Sequence, residues 1–161
     1  MADVLILTTG GTIDKLYFDA LSSYQIGDSV VDRLLQTARV TRPYRVVELL
    51  RKDSLELDDS DRAAIAAAVR AAPERHVVIT HGTDTMTTTA QALAEIADRT
   101  IVLVGALSPA RFAESDATFN LGMAFAAAQI AAPGVWIAMS GRVFPADRVR
   151  KDRAANAFVD A

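Results

Sequence analysis

Short apolar runs recur along the chain between longer segments that have a helical pattern. The runs lie at 4–8, 45–50, 77–80, 101–104 and 135–139. Most of them lack an alternation of polar and apolar residues, which is typical of strands covered on both faces. The pattern therefore predicts the buried strands of a mainly parallel sheet.

The segments between these runs predict helices at about 29–39, 58–72, 85–97 and 116–131. Residue pairs that resemble capping boxes open the first two, Ser29 with Asp32 and Asp58 with Asp61. Alternating strands and helices predict an α/β fold of three layers, in which helices cover both faces of the sheet. No linker or charge run divides the chain, so we expect residues 1–161 to form a single domain.

The predicted helix 116–131 is apolar on most sides. One stripe at helical spacing is expected to face the core: Phe119, Met123, Ala126 and Ile130. A second apolar set lies well around the helix from it: Leu121, Phe125 and Ala128. We expect another copy of the chain to cover this second set, in a homodimer or homotetramer. Full burial of the helix within one copy is the alternative.

Composition excludes several kinds of site and partner. The 161 residues include 17 basic and 20 acidic side chains, and this balance leaves no broad basic face for nucleic acid. The chain has no cysteine, which excludes disulfides, thiolate metal sites and a cysteine nucleophile. With His76 and His81 as its only histidines, we expect no metal site.

The chain also lacks the pattern of a membrane or secreted protein. No basic segment and no long apolar leader precede the first predicted strand. The longest nearly uncharged stretch, 121–139, contains Pro133 and Gly134, so it is interpreted as a helix, a turn and a strand. We therefore expect a cytoplasmic protein that does not bind or cross a membrane.

Polar residues suited to catalysis follow the first and third predicted strands. The run TTGGTID occupies 8–14, and the run HGTDTM occupies 81–86. Ligands of parallel sheets bind outside the carboxyl ends of the strands, so Thr12 and Thr83 are expected at one rim. Two hydroxyls beside Asp84 favour nucleophilic acyl transfer. Backbone N–H groups of Gly11 and Thr83 are candidates for holding an oxyanion.

The same residues also have simpler interpretations. A pair of glycines after a first strand is typical of a phosphate-binding or structural turn, although the G-x-G-x-x-G spacing of a dinucleotide site is missing. His81 has the position of a hydrogen-bonded structural histidine. Asp84 is a candidate cap for the helix that follows it.

Together, the two runs resemble the bacterial-type L-asparaginase family. TGGTI at 9–13 and HGTDTM at 81–86 match its two signatures, and the blocks VGALSP at 104–109 and SDATFNL at 115–121 match further conserved-looking segments. Three single residues match in the right order: Tyr24 of the mobile active-site loop, Ser54 of the substrate site and Lys151 as the catalytic lysine. The resemblance covers nearly the whole chain and implies the fold of the family's N-terminal domain.

This resemblance implies hydrolysis of the side-chain amide of L-asparagine to L-aspartate and ammonia. In the implied mechanism, Thr12 attacks the amide and forms an acyl-enzyme, while Tyr24 assists or orients it. Thr83, Asp84 and Lys151 form a second catalytic set, in which Lys151 favours proton movement through Thr83.

The implied substrate site is built from Gly11, Ser54, Thr83 and Asp84. Ser54 is expected to bind the α-carboxylate of the amino acid, and Asp84 its α-ammonium. The resemblance implies no cofactor and no metal, and it implies a small amino acid as the binding partner. Family members are commonly tetramers built from dimers, which agrees with the expected homo-oligomer.

Two departures from the family pattern concern the substrate. Usual members are about twice as long and carry a smaller C-terminal domain, which this sequence does not contain. Leu55 stands where many members place a polar residue that contacts the substrate, and Glu56 is expected to point elsewhere if 53–57 is extended. A glutaminase, another small-amide amidase, and a relative that binds aspartate or asparagine without turnover are therefore the alternatives.

Residues 10–27 show no periodicity of a helix or strand and predict a long loop. Long loops in compact domains are typical of lids and binding loops. We expect this loop to order over the substrate and to bring Tyr24 inward. A loop that stays poorly ordered is the alternative.

Overall fold

A computed structural model describes the backbone of residues 1–161 and every side chain except that of Leu21. Its strands in chain order are β1 Val4–Gly10, β2 Lys15–Phe18, β3 Ser23–Ile26, β4 Tyr44–Lys52, β5 His76–Thr80, β6 Thr100–Val104, β7 Gly134–Met139, β8 Arg142–Pro145, β9 Val149–Asp152 and β10 Ala157–Asp160. Its α-helices are α1 Val31–Thr37, α2 Asp59–Ala71, α3 Met86–Ala92 and α4 Ala117–Ile130. Short 3-10 turns at Thr12–Asp14 and Ser54–Glu56 follow β1 and β4.

The main sheet has the strand order β4-β1-β5-β6-β7-β8. Its strands from β4 to β7 are all paired in parallel, and β8 adds an antiparallel edge to β7. Each of the predicted strands lies in the parallel part. The predicted α/β fold with a mainly parallel sheet is therefore confirmed.

Helices cover both faces of this sheet, and alternate residues of β1 reach the two resulting cores. Leu5 and Leu7 pack in one core with residues of α2 and α3. Val4 and Ile6 pack in the other with residues of α1 and α4. Burial of each such side chain stabilises the fold by about 1.5–3 kcal/mol, and the two cores together hold the rim of the sheet in place.

The ends of the helices agree only in part with the prediction. The capping box of α2 is present, because Asp58 accepts from the N–H of Asp61 and Asp61 accepts from the N–H of Asp58. The expected pairing of Ser29 with Asp32 at α1 is not formed, and α3 ends at Ala92, earlier than predicted. Among the described residues, no helix has both the length and the apolar character needed to cross a membrane.

The predicted orientation of α4 is wrong. Phe119 and Ile130 of the expected core stripe are 68% and 85% exposed, whereas Leu121 and Phe125 are buried. The helix is apolar on most sides, so its pattern alone did not select a face. A polar contact helps to fix its rotation, since Asn120 Nδ2 donates to Gly105 O at the end of β6.

Residues 10–27 contain an antiparallel hairpin of β2 and β3, so the expectation of a segment without strands is wrong. Tyr17 and Tyr24 face each other across this hairpin, with ring centroids 5.4 Å apart. A cross-strand aromatic pair stabilises this hairpin. Neither strand of the hairpin has a fully buried face, so its sequence lacks the alternation of polar and apolar residues that predicts a strand. A second hairpin of β9 and β10 lies at the end of the chain and places Lys151 opposite Phe158.

Candidate active site

Glycines allow the turns after β1, β4 and β5 to approach one another at the carboxyl rim of the sheet. Gly11 has φ +86°, and a Cβ on it would lie 2.5 Å from the backbone N of Gly82. A Cβ on Gly82 would in turn lie 2.6 Å from Cβ of Ser54. Side chains larger than hydrogen would separate these turns. Thr12 and Thr83, the next residues along the chain from the two glycines, are thereby brought to the same rim.

Lys151 joins both polar residues of the second signature. Its Nζ donates to Thr83 Oγ1 at 2.7 Å and to Asp84 Oδ1 at 2.9 Å. The β9–β10 hairpin holds this ammonium in place, because Phe158 opposite Lys151 is buried in the core. Since the Thr83 oxygen accepts from a cation, its own proton is available to a further partner.

Asp84 is not the cap of α3. That helix begins after Thr85, and its first turn has no side-chain cap. Asp84 faces the hairpin of β9 and β10 instead, where Arg153 Nη2 lies 3.7 Å from the oxygen that Lys151 also contacts. Lys151 and Arg153 therefore both lie near the Asp84 carboxylate at the rim. The sequence did not predict the contact of Arg153 with Asp84.

Ser54 is attached to the second signature by two hydrogen bonds. Its Oγ accepts from the N–H of Thr85 at 3.3 Å, and Thr85 Oγ1 donates to the carbonyl of Ser54 at 2.8 Å. Because Oγ accepts here, the hydroxyl proton of this buried serine is available to a ligand. The local backbone is a 3-10 turn rather than an extended segment, which corrects the expectation for Glu56.

A groove of about 580 Å³ lies between the β2–β3 hairpin and this 3-10 turn. Its walls include Lys15, Tyr24, Gln25, Asp53, Leu55 and Glu56. Tyr24 lies on the groove with its ring against Tyr17 and Phe112, and among the described residues no hydrogen bond joins it to Thr12. The structure therefore brings Thr12, Thr83, Asp84, Ser54 and Lys151 to one rim and leaves Tyr24 at its margin.

Comparison with known proteins identifies the family. The family model described as "Asparaginase, N-terminal" matches residues 3–159. The chain belongs to the asparaginase family. The L-asparaginase of Thermococcus kodakarensis is 32% identical and aligns with 92% of this chain and 47% of its own length. The glutaminase-asparaginase of Acinetobacter glutaminasificans is 31% identical and aligns with 92% of this chain and 49% of its own length.

A solved structure of the same family agrees with the fold. The thermostable L-asparaginase from Thermococcus kodakarensis superposes with a TM-score of 0.84 at 30% identity, over 98% of this chain and 50% of that chain. The resemblance expected from the two signatures is confirmed. This asparaginase-family chain spans about half the length of the relatives that it matches.

His81 of the asparaginase signature is a buried histidine whose two ring nitrogens are both hydrogen-bonded within the protein. It is fully buried, and this burial lowers the pKa of its imidazole to about 4. The ring is therefore neutral near pH 7, so Nδ1–H donates to the Gly82 carbonyl at 2.6 Å and Nε2 accepts from Thr89 Oγ1 at 2.7 Å. His81 thus holds the backbone one residue before Thr83.

Asp14 is a buried carboxylate next to the first asparaginase signature that sequence reasoning missed. Burial raises the pKa of its carboxyl group to about 6. Its Oδ1 accepts from the N–H of Val30, the residue before α1, at 3.0 Å, so Asp14 attaches the start of that helix to the first signature. A lone aspartate after an Ile carries no pattern that predicts this contact, because Val30 lies 16 residues away.

Proposed function

We propose that this asparaginase-family chain hydrolyses the side-chain amide of L-asparagine to L-aspartate and ammonia. The observation that supports this best is the bond from Lys151 Nζ to Thr83 Oγ1 beside Asp84, at the rim where Gly11 packs against Gly82. A hydroxyl, a carboxylate and an ammonium in one contact form a set that moves protons during acyl transfer. The family membership of the chain supports the same reaction.

The reaction proceeds through an ester intermediate on Thr12. The hydroxyl oxygen of Thr12 attacks the carbonyl carbon of the side-chain amide, and the backbone N–H of Thr83 stabilises the oxyanion. The expectation that Gly11 also donates to this oxyanion is wrong, because the N–H of Gly11 donates to the Lys52 carbonyl at 3.0 Å. The C–N bond then breaks, and the nitrogen takes up a proton and leaves as ammonia. Water attacks the ester, releases L-aspartate and returns the proton to Thr12.

Lys151 and Asp84 adjust the charge near Thr83. The ammonium of Lys151 stabilises negative charge that develops on the Thr83 oxygen, and Asp84 balances the charge of the lysine. Thr83 passes protons between this pair and the reacting groups. Tyr24, when its hairpin closes, orients the hydroxyl of Thr12.

Substrate recognition uses groups that the fold leaves partly free. The hydroxyl of Ser54 donates to the α-carboxylate of the amino acid, because its oxygen already accepts from Thr85. Asp84, which is still partly exposed, binds the α-ammonium on the side away from Lys151. Thr83 presents its backbone N–H group to the carbonyl oxygen of the amide.

A wider amide specificity is the second candidate function. Leu55 is 68% exposed on the groove and offers no hydrogen bond to an amino acid. The groove of about 580 Å³ that Leu55 lines has room for a longer chain than that of asparagine, and Thr12 and Thr83 lie outside its lining. One relative is named a glutaminase-asparaginase, which supports glutamine as a test substrate. Aspartate or asparagine binding without turnover is the remaining alternative.

Ammonia release from asparagine, glutamine and a panel of small amides separates these functions. Wild type, Thr12→Ala and Thr83→Ala are compared with Thr88→Ala, a control at an exposed threonine of α3. We expect both site variants to lose activity and the control to keep it. Equal ammonia release by wild type and both site variants would make the site assignment wrong. Aspartate binding without ammonia release from any amide would support the non-catalytic alternative.

A further inference from the structure

Three consecutive residues after β6 contact the segment that runs from the Thr12 turn into the β2–β3 hairpin. The N–H of Ala110 donates to the carbonyl of Ile13 at 3.1 Å. Phe112 lies against Tyr24, with ring centroids 5.9 Å apart. Arg111 stands between them and makes the most extensive contact of the three.

The guanidinium of Arg111 bridges the two sides of the hairpin neck, which consists of Asp14 before β2 and of Gly27 and Asp28 after β3. Its Nη1 donates to the carbonyl of Asp14 at 2.8 Å, and its Nη2 donates to the carbonyl of Asp28 at 2.7 Å. Asp14 immediately precedes β2, and Asp28 follows β3, so the two carbonyls belong to the entry and the exit of the hairpin. A planar fork with two N–H groups matches two separate acceptors, which a lysine ammonium does not reproduce.

Other hydrogen bonds make this neck a junction with the nucleophile turn. The N–H of Gly27 donates to the same Asp14 carbonyl at 2.9 Å, and Asp14 Oδ1 accepts from Val30 at 3.0 Å. Asp14 is also the last residue of the 3-10 turn that begins at Thr12. A shift of the neck therefore moves Thr12, and a rotation of the neck moves Tyr24.

We propose that Arg111 is a positioning residue that fixes the Thr12 turn relative to the hairpin that carries Tyr24. It acts through the carbonyls of Asp14 and Asp28. An isolated two-stranded hairpin is marginally stable in water, so the order of β2 and β3 depends on this neck. The catalytic consequence rests on the proposed amidase function, whereas the structural consequence does not.

Arg111 is suitable for substitution because it is exposed and belongs to neither of the two large cores. The test variants are Arg111→Met, which removes both hydrogen bonds, and Arg111→Lys, which keeps the charge and loses the fork. Arg42→Met is the matched control. Arg42 binds Asp3, which precedes β1. This ion pair therefore lies at the amino ends of the strands, whereas the site lies at their carboxyl ends.

The first measurement is hydrogen exchange of backbone amides in the 161-residue chain without substrate. We expect exchange in β2 and β3 to rise about tenfold or more in Arg111→Met, with exchange in β5 and β6 unchanged. Arg111→Lys should lie between that variant and wild type. Hairpin exchange within about twofold of wild type in Arg111→Met would overturn the proposal.

The second measurement is the division of the effect between kcat and KM for ammonia release from asparagine. We expect kcat to fall about 10- to 100-fold in Arg111→Met, since a misplacement of about 1 Å has effects of that size. KM should change by less than about threefold, because neither Ser54 nor Asp84 is bonded to Arg111. The ion pairs of Lys15 with Asp53 and of Arg51 with Asp28 still join the hairpin to the Ser54 turn in the variant. A normal kcat together with a loosened hairpin would overturn the positioning role. Faster hairpin exchange in a chain that hydrolyses no amide would support the neck contact and contradict the proposed function.

Discussion

Lys151 and Thr83 are joined by a hydrogen bond of 2.7 Å although 68 positions separate them in the sequence. The contact connects β9 to the turn after β5, two parts of the chain that belong to different sheets. Asp84 completes the group through its 2.9 Å contact with the same ammonium. The candidate catalytic set is therefore held by the packing of the last hairpin on the rim of the main sheet.

Replacement of Lys151 by Met tests this set directly. We expect kcat for ammonia release to fall about 100-fold or more, because general acid–base groups typically contribute that much. The control is Lys52→Met, which removes an ammonium bound to Asp61. Thermal unfolding of both variants checks that the fold is kept. A Lys151→Met variant with the kcat of wild type would exclude the lysine from catalysis.

Arg153 tests the charge around Asp84. Arg153→Ala leaves Lys151 as the main cation on that carboxylate and exposes it to the substrate ammonium. KM for asparagine should fall by up to about fivefold, since exposed ion pairs contribute about 1 kcal/mol or less. Arg148→Ala, at an exposed position three residues before Lys151, is the control. A higher KM for Arg153→Ala would indicate that the guanidinium binds the substrate carboxylate instead.

Stability near pH 5 should contain two opposing contributions. Asp14 has a carboxyl pKa raised from 3.8 to about 6, so the folded state binds more protons and becomes less stable as pH rises between these values. His81 has an imidazole pKa lowered from 6.5 to about 4, so its contribution to stability is lost as pH falls through this range. Each pKa shift corresponds to roughly 3 kcal/mol of unfolding free energy. The two groups change the free energy of unfolding in opposite directions as pH rises.

Single substitutions should reveal how each of the two groups changes the free energy of unfolding with pH. Relative to wild type, Asp14→Asn should make the free energy of unfolding rise more steeply from pH 4 to 6, while His81→Gln should make it fall with pH. Urea denaturation at several pH values measures both differences. The same slope in Asp14→Asn and wild type would mean that Asp14 titrates normally in the folded chain.

The homodimer or homotetramer stays a prediction, and the contact face of α4 must be revised. Phe125 is buried with its ring 6.1 Å from that of Tyr44, so Phe125→Glu should unfold the chain and does not test assembly. Phe119, which is exposed, is the better position. We expect Phe119→Glu to keep the fold and to lower the mass measured by sedimentation at micromolar concentration. A wild-type chain that sediments as a monomer and remains fully active would contradict the prediction.

Ligand-dependent protection tests whether the β2–β3 hairpin is a lid. Tyr17, Phe18 and Tyr24 are exposed and should be sites for chymotrypsin. Saturating aspartate should slow cleavage there about tenfold, because closure brings Tyr24 onto the bound ligand. Cleavage at an unrelated site under the same conditions corrects for inhibition of the protease. Equal cutting with and without aspartate would remove the lid from the mechanism.

The sequence alone determined the five parallel strands of the sheet, the approximate positions of the helices and the two signature turns. Strands covered on both faces require apolar runs, and the runs at 77–80 and 101–104 became β5 and β6. The capping box of Asp58 and Asp61 is a contact between residues three positions apart. Such features depend on interactions that are local in the chain, so they are visible in the sequence.

The tertiary structure decided the rotation of α4, the hairpin of β2 and β3 and the neighbours of Asp84. A helix that is apolar on most sides has several faces of similar hydrophobicity, and the contact of Asn120 with Gly105 helps to select one. The hairpin is held by Arg111 from a segment 83 and 97 positions away. Arg153 reaches Asp84 only through the packing of the last hairpin. These contacts join residues that are distant in sequence. A single polar residue belongs to no periodic pattern, so the sequence does not indicate which residue it will contact in the folded chain.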